Sequence, residues 1–127
     1  MDVTRLVAYW QSGSAEDFAA ARALLEKRHT RHALFLAHLA LEKLLKAHVT
    51  RARNEIPPRI HDLLRLAEFA QLPLTAKQRV FLGVFQKHCL AGRYPDTGSA
   101  PSVAEAEDGL RQAEEMLTWL THRLLKS

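Results

Sequence analysis

Cysteine is almost missing from this chain. The single copy, Cys89, cannot make an intramolecular disulfide, which excludes a disulfide framework and the multi-cysteine zinc sites. Set among Phe85, His88 and Leu90, it reads as a small core hydrophobe rather than a nucleophile. No apolar run approaches the roughly 18 residues of a membrane span. No basic-then-apolar leader with a small-residue cleavage site opens the sequence. A cytoplasmic protein with no membrane partner is therefore expected. There is no G-x-S-x-G stretch or α/β pattern to hold a serine triad. There is no glycine-rich phosphate cradle, so ATP hydrolysis of the usual type is not expected. A di-iron bundle requires two Glu-x-x-His motifs. Only Glu26 with His29 supplies one, in a basic cluster that repels a cation. No metal and no cofactor are expected.

What is present suits one ordered domain over residues 1–127, with 47% hydrophobic and 25% charged residues. The formal charge of +4 favours anionic partners such as RNA, a nucleotide or an acidic protein. Basic residues gather in "KRHTRH", Lys27 to His32, and at Arg51, Arg53 and Arg59. Each cluster reads either as an anion-binding edge or as a solvated loop edge.

No strand-type alternation persists, while helical spacing recurs, so the fold class is all-α. The first helix is expected from Val3 to Lys27, with Trp10, Phe18, Ala21, Leu24 and Leu25 on one stripe. Gly13 and Ser14 are expected to kink it, with Ser14 and Asp17 capping a restart. The second helix is expected from Thr30 to Arg53, roughly 30 Å or more in length. Its apolar arc (Ala33, Leu34, Leu36, Ala37, Ala40, Leu41, Leu44, Leu45, Ala47) marks it as central. Pro57 and Pro58 end it. A short helix follows from Asp62 to Ala70, capped by Asp62 or His61. Thr75 with Gln78 caps a fourth helix lasting to Leu90, with Gly92 as its C-cap. Ser102 with Glu105 caps the last helix, which runs to Leu125. Four long helices and one short one make an antiparallel up-and-down bundle.

Polar residues interrupt this apolar pattern at four places. His38, Glu42 and Lys46 stack at i, i+4 and i+8 on the long helix. Glu42 before Lys46 is the favourable order for a helical pair. Buried, the pair needs further partners; otherwise it is a narrow wet face with lysine stems covering leucines. Asp17 lies within the first helix's apolar stripe and requires a cation, Lys43 or Lys46, or a capping role. His61 and Asp62 open a helix directly after the double proline, with Asp62 as cap or ligand. In "AGRYPD", the proline holds Tyr94 extended. Arg93 beside it suits a phosphate or a stacked base, or else a latch on helix ends. His38, His48 and His88 read as helix-packing histidines.

Taken in order, Asp17 to Leu25 (D-x-x-x-A-x-x-L-L), Ala40 to Ala47 (A-x-E-K-x-L-K-A), His61 to Leu63 (H-D-L) and Arg93 to Pro95 (R-Y-P) resemble the HEPN domain family. The resemblance runs from about residue 10 to 120. It implies a helical bundle that often dimerises, binds nucleotides or acts as a metal-independent ribonuclease. It also implies pairing with a small nucleotidyltransferase in a toxin–antitoxin-like operon. The pattern carries over onto Asp17, Glu42, Lys43, Lys46, His61, Asp62, Arg93 and Tyr94. One departure stands out. Ribonuclease members carry an Arg, four to six residues, then a His near the late helices. Here eight residues separate Arg79 from His88, Arg93 has no histidine until His122, and Arg22 with His29 lie on the first helix.

The leading expectation is a homodimeric binding protein. Its groove of Glu42, Lys46, His61, Arg93 and Tyr94 holds a nucleotide or RNA, or docks a small nucleotidyltransferase. Asp17 and Glu42 orient the lysines, Lys43 included. The rivals are a toxin-type ribonuclease using His61 and Arg93 as catalytic groups, and a non-catalytic adaptor whose polar cluster is structural.

Overall fold

A computed structural model describes residues 2–90 and 100–126 of the chain. Five α-helices follow in order: α1 (Val3–Glu26), α2 (Thr30–Arg53), α3 (Leu63–Phe69), α4 (Ala76–Phe85) and α5 (Val103–Lys126). A 3-10 turn over Gln86–Leu90 extends α4. The all-α bundle expected from the sequence is what forms, and its boundaries follow local chemistry. Asp2 caps α1 by accepting from the Arg5 amide. Thr75 and Gln78 form the reciprocal capping box of α4, and Ser102 with Glu105 does the same for α5. Helix α1 ends where Arg28 turns left-handed at φ 64°. There the amides of Arg28 and His29 return to the carbonyls of Leu25 and Leu24.

Two boundaries differ from the sequence reading. Helix α1 continues through Gly13 and Ser14 without a restart. Ser14 caps nothing; its hydroxyl crosses to α2 and donates to the Ala40 carbonyl at 2.7 Å. The fourth helix is α-helical only to Phe85 and then tightens, which turns Gln86 toward α2 and α3. The C-cap expected at Gly92 lies outside the described residues.

Contacts between helices set the directions. Trp10 meets Lys46 and Asp17 meets Lys43, so α1 and α2 are antiparallel. His48 reaches Leu120 and Arg51 reaches Leu124, so α2 and α5 are parallel. Helix α2 is the central element. Thr30, His38, Glu42, Lys46, His48 and Thr50 are buried along it with its leucines and alanines, as its broad apolar arc requires. The core joins Phe18 and Ala21 of α1, Leu41 and Leu45 of α2, Leu63 and Leu66 of α3, Leu82 and Phe85 of α4, and Ala113 and Leu120 of α5. Among the described residues, no helix is long and apolar enough to cross a membrane.

Candidate functional site: a buried carboxylate holding a half-exposed histidine

Glu42 sits in the middle of α2, where its neighbours are leucines and alanines. Its side chain is 5% exposed, and that of Lys46, one turn later, is 10% exposed. An isolated carboxylate here would lose several kcal/mol of hydration. Two partners compensate, and a second histidine stands nearby. Lys46 Nζ donates to Glu42 Oε2 at 3.0 Å. His61 Nδ1 lies 3.0 Å from the same oxygen. His38 Nδ1, one turn before, is 3.9 Å from Oε1, too far for a hydrogen bond.

His61 arrives from outside the helix. Pro57 and Pro58 stop α2 from continuing, and Asp62 restarts the chain as the cap of α3, accepting from the Arg65 amide. The segment between them delivers the imidazole to Glu42. A carboxylate only accepts, so Nδ1 of His61 carries the proton and Nε2 lies on the opposite edge of the ring. The His61 side chain is 49% exposed. The result is an oriented imidazole, held from inside the bundle and half exposed to solvent.

A further contact fixes the segment. The amide oxygen of Gln86, in the 3-10 turn, accepts from the Leu63 amide at 2.9 Å and lies 3.3 Å from His38 Nε2. Gln86 thus ties the end of α4 to α2 and to the residue two beyond His61. Nothing in the sequence pattern singled out Gln86, because its reach depends on the change of helical pitch after Phe85. His38 carried a signal in its i, i+4 spacing to Glu42 but read as simple packing.

Asp17 pairs with Lys43 at 2.8 Å, one of the two cations expected for it. The contact is off the hydrogen-bond axis, leaving Asp17 Oδ2 without an aligned donor. Gly13 leaves room for the lysine stem, since a Cβ there would stand 3.1 Å from Lys43 Cδ. Lys43 therefore runs along α1, while Lys46 turns to Glu42 and lies 5.6 Å from the centre of the Trp10 ring. The Trp10 indole nitrogen is buried without a hydrogen-bond partner among the described residues, at a cost of about 1–3 kcal/mol.

Of the residues named from the sequence, Glu42, Lys46 and His61 converge, and Asp17 with Lys43 form a pair on the same α1–α2 face. Asp62 is engaged in capping and exposed on its outer side. Arg93 and Tyr94 lie outside the described residues. Clefts of about 680 Å³ between α4 and α5 and about 520 Å³ between α1 and α5 lie elsewhere and contain none of these groups.

The remaining core histidines pack helices. His48 Nε2 donates to the Leu120 carbonyl at 2.8 Å. Burial lowers its pKa against the raising effect of that bond. Burial first, and then the charges of Lys87 and His38, push His88 down to about 4. It packs edge-on against Phe85, with ring centres 4.6 Å apart. Among the described residues, no three His, Cys, Asp or Glu side chains are grouped to hold a metal ion.

The model of the HEPN domain family matches the chain over residues 7–124. The chain belongs to the HEPN domain family. The fold of this HEPN protein is similar to the crystal structure of TT1696 from Thermus thermophilus. The TM-score is 0.76 at 25% identity, covering 91% of this chain and 96% of that one. It is also similar to ST0689, an archaeal HEPN homologue, with a TM-score of 0.72 at 20% identity, covering 92% of this chain and 96% of that one. The latter likeness is one of fold. No curated protein matches the chain.

Proposed function

We propose that this HEPN protein binds a phosphate-bearing ligand, a nucleotide or RNA, on the face formed by α1, α2 and the segment after the double proline. The observation that carries this reading is His61. Its ring is half exposed, yet its Nδ1 is fixed at 3.0 Å by a carboxylate that is itself buried. When His61 is protonated, Glu42 balances its charge from inside and the ring presents an Nε2–H donor to an anion outside. Lys46 lies behind it and adds positive charge in a poorly hydrated setting. Arg51, Arg53, Arg59 and Arg65 are exposed at the C-terminal end of α2 and in the segments that follow it, and they add to the positive field of the protein.

The same reading includes a homodimer, a single domain over residues 1–127 and a cytoplasmic location. It also includes pairing with a small nucleotidyltransferase in a toxin–antitoxin-like system, the partnership that the family resemblance implies. Arg93 and Tyr94 remain the proposed phosphate and base contacts.

One observation also favours cleavage. An imidazole oriented by a carboxylate is the arrangement a general base requires, and His61 with Glu42 supplies it. The missing Arg-x4-6-His signature places binding ahead. Incubating the protein with RNA in EDTA separates the two readings. Intact RNA with saturable binding that His61→Ala abolishes supports the binding protein. Cleavage that His61→Ala abolishes supports the ribonuclease. Absence of both overturns the site.

A further inference from the structure

Val80 and Val84 are 66% and 57% exposed. Among the described residues, they are the exposed large apolar side chains that stand one turn apart on a single helix. Both line the cleft of about 680 Å³ between α4 and α5, together with Phe81, Phe85, Lys77 and Lys87. Helix α4 packs on α3, and its other side faces α5 across this space. The floor is apolar. Gly109 of α5 carries no side chain there, which leaves Leu34 and Phe85 within 2.7 and 3.6 Å of where a Cβ would stand.

Charge frames the apolar strip. Lys77, Val80, Val84 and Lys87 follow at i, i+3, i+7 and i+10. The 3-10 turn that begins at Gln86 keeps Lys87 in line with Val84, because side chains three apart eclipse in that geometry. A lysine therefore stands at each end of the strip, roughly 15 Å apart along the axis. Both are exposed, and neither is in an ion pair among the described residues. The opposite wall carries Glu105 and Asp108, but these are committed within their own helix and its cap. Glu105 accepts from the Ser102 amide, and Asp108 bonds Arg111 and Gln112.

This arrangement decides between occupants. Two-fold pairing of α4 with α4 of a second copy opposes lysine to lysine, whichever way the axis runs. Pairing α4 with α5 of a second copy offers only carboxylates that already have partners. The two lysines are matched by a chain that brings carboxylates to both ends of an apolar ridge. We propose that this cleft docks an amphipathic helix of another protein, whose apolar ridge covers Phe81, Val80 and Val84 and whose flanking carboxylates meet Lys77 and Lys87. The proposal is independent of the phosphate reading at His61.

The test uses two synthetic helical peptides with the same leucine ridge, one with glutamate at each end of that ridge and one with lysine. Binding of the labelled peptides to the full chain is read by fluorescence anisotropy, with the wild type, Lys77→Glu/Lys87→Glu, Val84→Ser and His61→Ala. Val84 lies outside the core cluster, so Val84→Ser leaves the bundle folded, which thermal unfolding checks. The expected result is saturable binding of the glutamate peptide to the wild type, about tenfold tighter than the lysine peptide, the worth of two rim ion pairs. The charge-reversed variant inverts that preference, Val84→Ser weakens both peptides, and His61→Ala binds as the wild type does. Equal affinity for the two peptides, or no binding of either, overturns the proposal and leaves the His61 site standing. Self-association in sedimentation that Val84→Ser abolishes, with neither peptide bound, also overturns it, because the cleft is then an interface between copies.

Discussion

Glu42 and His61 are joined across the break in the chain that Pro57 and Pro58 create: the carboxylate Oε2 lies 3.0 Å from the imidazole Nδ1. One residue is buried in the middle of α2 and the other is half in water. The contact converts a charge that α2 could not carry alone into the support of an exposed titratable group. It also explains why an apolar helix keeps an ion pair with Lys46.

The two partners of that ion pair are not equivalent. Glu42→Gln leaves the ammonium of Lys46 nearly buried without a countercharge, and breaking such a pair costs about 3–5 kcal/mol. Lys46→Met removes a cation but leaves Glu42 with His61, and costs less. Urea unfolding of both variants checks the order. A loss below about 1 kcal/mol for Glu42→Gln would show that the carboxylate is not held as described.

Two glycines should respond with opposite signs to the same change. A Cβ at Gly13 meets the flexible stem of Lys43 at 3.1 Å. Gly13→Ala therefore gains helix propensity, up to about 1 kcal/mol, at little steric cost. A Cβ at Gly109 stands 2.7 Å from Leu34 Cδ2, and Leu34 is buried. Gly109→Ala therefore overpacks the α2–α5 contact and costs about 1–3 kcal/mol. Thermal unfolding distinguishes them: Gly13→Ala melts at or above the wild type and Gly109→Ala below it.

His88 makes stability depend on pH in a defined window. Its pKa falls from 6.5 to about 4 on folding, so between those values the unfolded chain binds more protons than the folded one. The stability it contributes is fully present above pH 6.5 and is lost as pH falls toward 4. The slope reaches at most about 1.4 kcal/mol per pH unit for one proton. His48, whose pKa burial also lowers, adds in the same direction. His88→Gln flattens the fall, measured as urea midpoints at intervals from about pH 7 to 4. An unchanged slope would mean that His88 is not neutral in the folded protein.

The bundle was legible because it rests on short-range rules. The apolar arc of α2, the capping boxes at Thr75 and Ser102, and the double proline each act within a few residues, and the helices begin and end close to where those signals fall. The Ser14 reading failed for the opposite reason: a hydroxyl that looked like a cap found a carbonyl 26 residues away. The site was half legible. Glu42 with Lys46 showed in the spacing, as did the anomaly of Asp17. That Glu42 orients His61 depends on how the post-proline segment folds back. The role of Gln86 depends on the pitch of a 3-10 turn. Neither is encoded in periodicity.

The central claim is that His61 is an anion-binding group oriented by Glu42. The most direct measurement is a heteronuclear NMR titration of the His61 ring nitrogens with ATP, in the wild type and in Glu42→Gln. The account predicts an Nδ1–H tautomer in the free wild type, a saturable shift of the Nε2 resonance as ATP is added, and loss of both features in Glu42→Gln. ATP that binds while the His61 ring resonances stay unmoved would contradict it.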